Sequence, residues 1–234
     1  MSDNTTSATI HREFELERMI LFSDAVFAIA ITLLVIEIKF PEIPDNYKQG
    51  LDLWLMFKPT VIQFMAFLIS FFFIGMSWTR HLKMFRYLKA YDDGVIFRNL
   101  ASLFFIVAFP FSASGMIHVN KFLFPMVIYF GNVALIFISN FMLAHYIFRK
   151  KPSLSMPGFE QEKKHIYLLN KTFAILVSAG FVIVLLTGMI THYDVKSVSV
   201  SMYIVCFAMI AMRRWLKKFK PKPVMVNHTA TPDS

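Results

Sequence analysis

A single cysteine, Cys206, stands in a chain of 234 residues, so the sequence can build neither a disulfide framework nor a cysteine-ligated metal site. Catalytic signatures are missing as well: H-E-x-x-H, G-x-S-x-G and the glycine-rich phosphate loop do not occur. Acids are scarce where membrane chemistry would need them, since only Asp24, Glu37 and Asp194 lie in or at the ends of apolar runs. These absences argue against an enzyme and against a bound cofactor. Long polar stretches are also lacking, which leaves no room for a soluble catalytic domain. A T-V-G-Y-G-like segment is absent, so a carbonyl-lined ion filter of that type is excluded.

What the chain does contain is apolar mass. Hydrophobic residues make up 56% and aromatic residues 16%, and the mean hydropathy is +0.55. A helix needs ~20 mostly apolar residues to cross a bilayer. Six runs qualify, at roughly 19–38, 59–79, 99–118, 122–148, 166–191 and 197–212. The fold expected is therefore an all-α integral membrane protein with six transmembrane helices, divided into an N-terminal segment (1–18), a membrane domain (19–216) and a basic tail (217–234). The first run is long, follows the acidic "EFELE" and lacks a small-x-small exit, so it reads as a retained helix and not a cleaved signal.

The net charge of +9 could suggest nucleic acid, but its placement follows the membrane. Alternating the sides of the six spans puts nineteen of the 24 Lys and Arg residues on one side, leaving Lys39, Lys48, Lys58, Lys121 and Lys196 on the other. The positive-inside rule then places both termini in the cytoplasm of a cell with this protein in its plasma membrane. The "RRWLKKFKPKP" stretch after the last run reads as an anchor at anionic lipid headgroups. "DLWLMFKP", before the second run, suits an interfacial stretch at the opposite surface. Pro110 is expected to kink the third helix, with Ser112 or Ser114 meeting the freed backbone groups. His118, His145 and His192 lie near span ends, where interfacial roles are commoner than ligation.

The first run, "RMILFSDAVFAIAITLLVIEIKF", holds the one anomaly. Steps of three and four from Arg18 gather Phe22, Ala25, Ile29, Thr32, Ile36 and Lys39 on one face, whereas Asp24 leads another stripe with Phe27, Ile31 and Leu34. A carboxylate inside the bilayer needs a partner, and a lipid-facing position offers none. At the same depth the second helix ends in "SWTRH" and the third begins with "FRN". The expectation is a buried polar clasp in which Ser23 and Asp24 meet Trp78, Arg80, His81, Arg98 or Asn99.

Arg18, Phe22, Ser23 and Asp24 spell R-x-x-x-F-S-D, and this signature resembles that of the endosomal/lysosomal potassium-channel family, in its bacterial branch with one six-helix unit per chain. The resemblance implies a potassium-permeable cation channel built as a homotetramer, with K+ as the permeant ion and four first helices lining the pore. Carried over by distance from Asp24, it makes Ile29 and Ile36 the apolar constrictions and Thr32 the hydroxyl layer between them. It also matches Trp78, His81 and Asn99 to the family's polar partners on helices two and three. Without that resemblance, Ile29, Thr32 and Ile36 would more often be ordinary helix contacts. The alternative class is an ion-coupled secondary transporter using Asp24, against which stand the lack of a midplane acid and of inverted repeats. A competing role for Thr32 is a hydrogen bond back to the carbonyl of Ala28 within its own helix.

Overall fold

The computed structural model describes residues 2–41, 53–118 and 123–191, together with Phe207, Ala211 and Arg214. Its regular elements are helices: α1 (Ser2–Leu33), α2 (Leu53–Phe85), α3 (Asp93–Val107), α4 (Phe109–His118), α5 (Leu123–His145) and α6 (Glu160–Ile190). Five stretches are long and apolar enough to cross a membrane: Phe14–Glu37, Met56–Phe85, Asp93–Gly115, Phe124–Lys150 and Glu160–Ile190. The sixth apolar run, with Cys206 and Asp194, and the basic tail lie outside the described residues apart from those three helical positions.

Each helix follows from its local sequence. No glycine or proline interrupts residues 2–40, so α1 runs as one 32-residue rod from Ser2 to Leu33. Near Pro41 the rod tightens into a 3₁₀ turn, Leu34–Glu37, and Ile38 is already extended. The "DLWLMFKP" stretch is likewise drawn into a helix: from Leu53 onward it forms the opening turns of α2, with good helix formers outweighing the backbone bond that Pro59 forfeits. The third span is broken at Ala108, between α3 and α4, because Pro110 has no N–H to give to the carbonyl four residues back. The serines do not repair that bond. Ser112 Oγ donates to the carbonyl of Phe109 at 2.8 Å, and Ser114 reaches across to α1.

In lipid, helices gain little from the hydrophobic effect against one another and rely on close packing and polar contacts. The buried positions match this: alongside Phe27, Ile74, Ile106, Phe109, Ile136 and Phe173 they include Ala30, Ala113, Ala134, Ala174, Ser70, Ser77, Ser102 and Ser139. α5 and α6 form the most extensive helix pair, α3 and α4 pack on α5, and α1 packs on α2, α3 and α4. Helix α1 thus lies on the side of the bundle away from the α5–α6 pair. Rings of Phe73 and Phe109 stack at 4.9 Å, and those of Phe137 and Phe173 at 5.9 Å.

A second cluster closes the end that carries the basic connectors. Asp92 caps α3 by accepting from the Val95 N–H at 3.0 Å, and also accepts from Tyr146 Oη at 2.9 Å and Lys151 Nζ at 2.5 Å. Gly94 is required here, since a Cβ at that position would sit 2.1 Å from Tyr146 Oη. α5 ends in a π-helical turn, Tyr146–Lys150, and the chain then turns through Gly158 (φ 79°) and Phe159 (φ 56°) into α6. Burial alone would raise the Asp92 pKa, but the hydrogen bonds from Lys151, Tyr146 and Val95, with the Lys151 charge, together hold it below its ordinary value. Lys151 is raised, first by its hydrogen bond to Asp92.

The sign of the pH dependence follows. The Asp92 contribution is fully present above the unfolded carboxylate pKa of about 3.9 and fades as pH falls through the lower folded value. The Lys151 contribution fades only as pH rises through a folded value above about 10.4. Thermal melts in detergent should therefore show wild-type stability falling at the acid end, and Asp92→Asn should lower the midpoint at neutral pH while flattening that fall. Equal neutral-pH midpoints would refute the network.

Candidate functional site

The two faces of α1 have opposite environments. Ser23, Phe27, Ala30 and Leu34 are buried against the bundle, whereas Arg18, Phe22, Ala25, Ile29, Thr32 and Ile36 are exposed in the single chain. Ile29 is 56% exposed and Ile36 69%, values that leave the whole stripe open to a neighbour. The 3₁₀ turn winds by about 120° per residue against about 100° in an α-helix. Ile36, inside that turn, is swung further around than a continuous α-helix would carry it.

On the inward face, three helices share a chain of hydrogen bonds. Ser23 of α1 is fully buried, Asn99 of α3 is 1% exposed and His81 of α2 is 2% exposed. Asn99 Nδ2 donates to Ser23 Oγ at 2.9 Å, and Ser23 Oγ donates to the Met19 carbonyl at 2.9 Å. The Asn99 carbonyl oxygen, Oδ1, lies 2.8 Å from His81 Nε2. Since that oxygen can only accept, Nε2 carries the proton, and every donor in the chain points towards Met19. His81 is also held between the rings of Phe27 (5.4 Å) and Phe85 (4.3 Å). One residue along, Asp24 accepts from Trp78 Nε1 at 2.7 Å at a less buried rim.

The structure thus brings Ser23, Asp24, Trp78, His81 and Asn99 together across α1, α2 and α3. Arg18 and Phe22 do not enter the hydrogen-bonded set: both are exposed, and the Arg18 guanidinium lies 6.0 Å from the Phe14 ring. Arg80 and Arg98 are drawn elsewhere. Arg80 lies against the rings of Phe137 (4.9 Å) and Phe173 (4.2 Å), and Arg98 donates to the Gly94 carbonyl while stacking on Tyr146. The Thr32 hydroxyl does bond back within its helix, but to the carbonyl of Ile29 at 2.9 Å and not to that of Ala28.

Sequence reasoning missed the fastening at the other end of α1. Ser114 donates to Glu37 at 2.5 Å, the Lys39 N–H donates to Gln63 and the Lys39 carbonyl accepts from Thr60. A small cavity lies behind that fastening, lined by Leu34, Glu37, Gln63, Phe67, Ser70 and Ser114 among others. Tyr91 Oη donates to Glu15 at 2.6 Å and so tethers α1 on the N-terminal side of the clasp. The one readable signal for the Asp92 network was the "DDG" before an apolar helix, a plain N-cap pattern.

Residues 18–110 match the model of the family described as endosomal/lysosomal potassium channel TMEM175, a stretch that contains α1 beyond Glu17, α2, α3 and the whole clasp. A protein named potassium channel from Chryseobacterium sp. (strain P1-3) is 32% identical over 93 residues, covering 40% of this chain and 44% of that protein. Another named potassium channel, from Streptomyces collinus (strain DSM 40733 / Tue 365), is 37% identical over 93 residues, covering 40% and 43%. The match spans less than half the length of these curated relatives. A crystal structure described as a lysosomal potassium-selective channel TMEM175 homolog from Chamaesiphon minutus has a TM-score of 0.61 at 22% identity, covering 84% of this chain and 97% of that one. The sequence similarity covers residues 18–110, and the structural likeness is one of fold over most of the bundle.

Two substitutions test the clasp as the element that fixes α1. Asn99→Leu leaves the His81 N–H without its acceptor, at a cost of about 1–3 kcal/mol. Trp78→Phe keeps an aromatic ring and deletes the Asp24 donor. Both should lower the thermal midpoint in detergent, Asn99→Leu by more because its site is fully buried. Melting curves that overlay the wild type for both variants would refute the clasp.

Proposed function

We propose that this chain, supported as a family member over residues 18–110, is a potassium-permeable cation channel that works as a homotetramer of six-helix subunits. The observation that carries this reading is the open stripe on α1, with Ile29, Thr32 and Ile36 exposed opposite a face locked by hydrogen bonds. A stripe on one helix encloses nothing, but symmetric closure of four copies turns each rung into a ring. Rings of isoleucine form an apolar constriction that dewets and blocks ions, and a ring of threonine hydroxyls replaces part of a cation's hydration shell.

The back-bond of Thr32, the competing role for its hydroxyl, is compatible with such a layer. Its proton is committed to the Ile29 carbonyl, so the hydroxyl oxygen is left as an acceptor with lone pairs free for a cation. Neutral oxygens compensate dehydration only in part, and the ring favours the ion that is cheaper to dehydrate, K+ over Na+, to a modest degree. Asp24, held by Trp78 off this stripe, acts through the arrangement of helices and not by touching the ion. That engagement also disfavours the transporter reading, which needs a free carboxylate. The two termini face the cytoplasm of a cell whose plasma membrane holds the protein, and the tail rests on anionic headgroups.

Planar-bilayer recording under asymmetric K+ and Na+ tests the reading. Ile29→Ala should raise conductance and weaken selectivity, Ile36→Ala should do so less, and Phe72→Ala, at an exposed position on α2, should change neither. Equal responses from Ile29 and Phe72 would remove the pore from this face. Thr32→Val keeps the shape and deletes the hydroxyl, so the reversal potential should move towards the non-selective value while the tetramer persists on size exclusion. An unchanged reversal potential would assign the preference to the isoleucine rings.

A further inference from the structure

The α5–α6 pair carries a cluster that neither the clasp nor the stripe on α1 uses. At the basic end of α5, Phe141, His145 and Arg149 follow one another at helical spacing and converge on Tyr167 of α6. The Arg149 guanidinium lies 5.0 Å from the Tyr167 ring, His145 Nδ1 lies 3.4 Å from Tyr167 Oη, and the Phe141 ring packs at 5.8 Å. On α6, Lys164 and Lys171 are one turn to either side of Tyr167 and therefore its surface neighbours. Arg149, Lys164 and Lys171 are exposed and form no salt bridge with an acid among the described residues. The acids of α6 are not available to them: Glu160 is paired with Lys163, and Glu162 lies about 140° around the helix from Tyr167.

Depth and surroundings name the partner. Lys171 immediately precedes the uncharged run 172–191, and Arg149 follows the apolar run that ends at Phe148, so both cations stand where hydrocarbon gives way to headgroups. Leading from them towards the membrane interior are the exposed apolar side chains of Met142 and Ile175. The pair also lies on the side of the bundle away from α1, at the perimeter of any assembly closed around that helix.

We infer that Arg149, Lys164 and Lys171, staged around Tyr167, form a binding site for the phosphate headgroup of an anionic phospholipid, with its acyl chains against Met142 and Ile175. Guanidinium and ammonium groups supply charge-assisted hydrogen bonds to the phosphate, and the Tyr167 ring holds Arg149 in place for it. This site is distinct from the basic tail and does not depend on the conduction reading.

Native mass spectrometry of the full chain in mild detergent, titrated with phosphatidylglycerol or phosphatidylcholine of matched acyl chains, tests it. The wild type should bind phosphatidylglycerol in preference, and Arg149→Gln/Lys171→Gln should lose roughly fivefold in affinity for each charge removed. A tail variant, Lys217→Gln/Lys218→Gln/Lys220→Gln, should keep the preference. An Arg149→Gln/Lys171→Gln protein that binds phosphatidylglycerol as the wild type does, or a preference lost only in the tail variant, overturns the proposal. Should the double variant fail to fold, a photoactivatable phosphatidylglycerol applied to the wild type decides: labelling of residues 142–149 and 164–175 supports the site. Labelling confined to other segments, or a second copy of the chain crosslinked at this face, overturns it.

Discussion

Everything about α1 depends on the requirement that polar groups inside a membrane find partners. Ser23, His81 and Asn99 are almost wholly buried, and their hydrogen bonds run in a single direction to a backbone carbonyl of α1 itself. Such a chain has one good geometry, because reversing any donor leaves another unpaired. It therefore sets the rotation of α1 about its own axis. With that rotation set, Ile29, Thr32 and Ile36 have no choice but to face away from the bundle.

One fastening would leave a rod of this length free to splay, and the molecule has others. At the far end, Glu37 is held by Ser114 of α4, and the backbone of Lys39 by Gln63 and Thr60 of α2. On the N-terminal side of the clasp, Tyr91 holds Glu15. The loop that carries Tyr91 is locked in turn by Asp92 to Tyr146 and Lys151 beyond α5. The exposed stripe of α1 is thus flanked by tethers above, below and behind. That rigidity suits the association proposed for this surface, since side chains already ordered lose less entropy on association.

Much of the architecture was legible in the chain because the membrane imposes a simple code. Apolar runs of sufficient length must be helices, and five of the expected runs coincide with helices of the bundle. The oddity of Asp24, and its removal from the face carrying Thr32, also followed from spacing alone. Less legible was which of several neighbouring polar side chains would answer it. Arg80 and Arg98 stood as near in sequence as His81 and Asn99, yet flat guanidinium groups found aromatic rings, Phe137 and Phe173 for one and Tyr146 for the other, that no local pattern announces.

The chain by itself determined the class of fold, the places of five membrane helices and the two-faced character of α1, because hydropathy and helical period are properties of consecutive residues. The folded structure decided the partners: Ser114 for Glu37 instead of for the break at Pro110, and Ile29 instead of Ala28 for Thr32. Each of those choices turns on angles and distances of a few ångströms between groups with several acceptable partners. A hydrogen bond weakens steeply outside a narrow geometry, so only the packed helices could select among them.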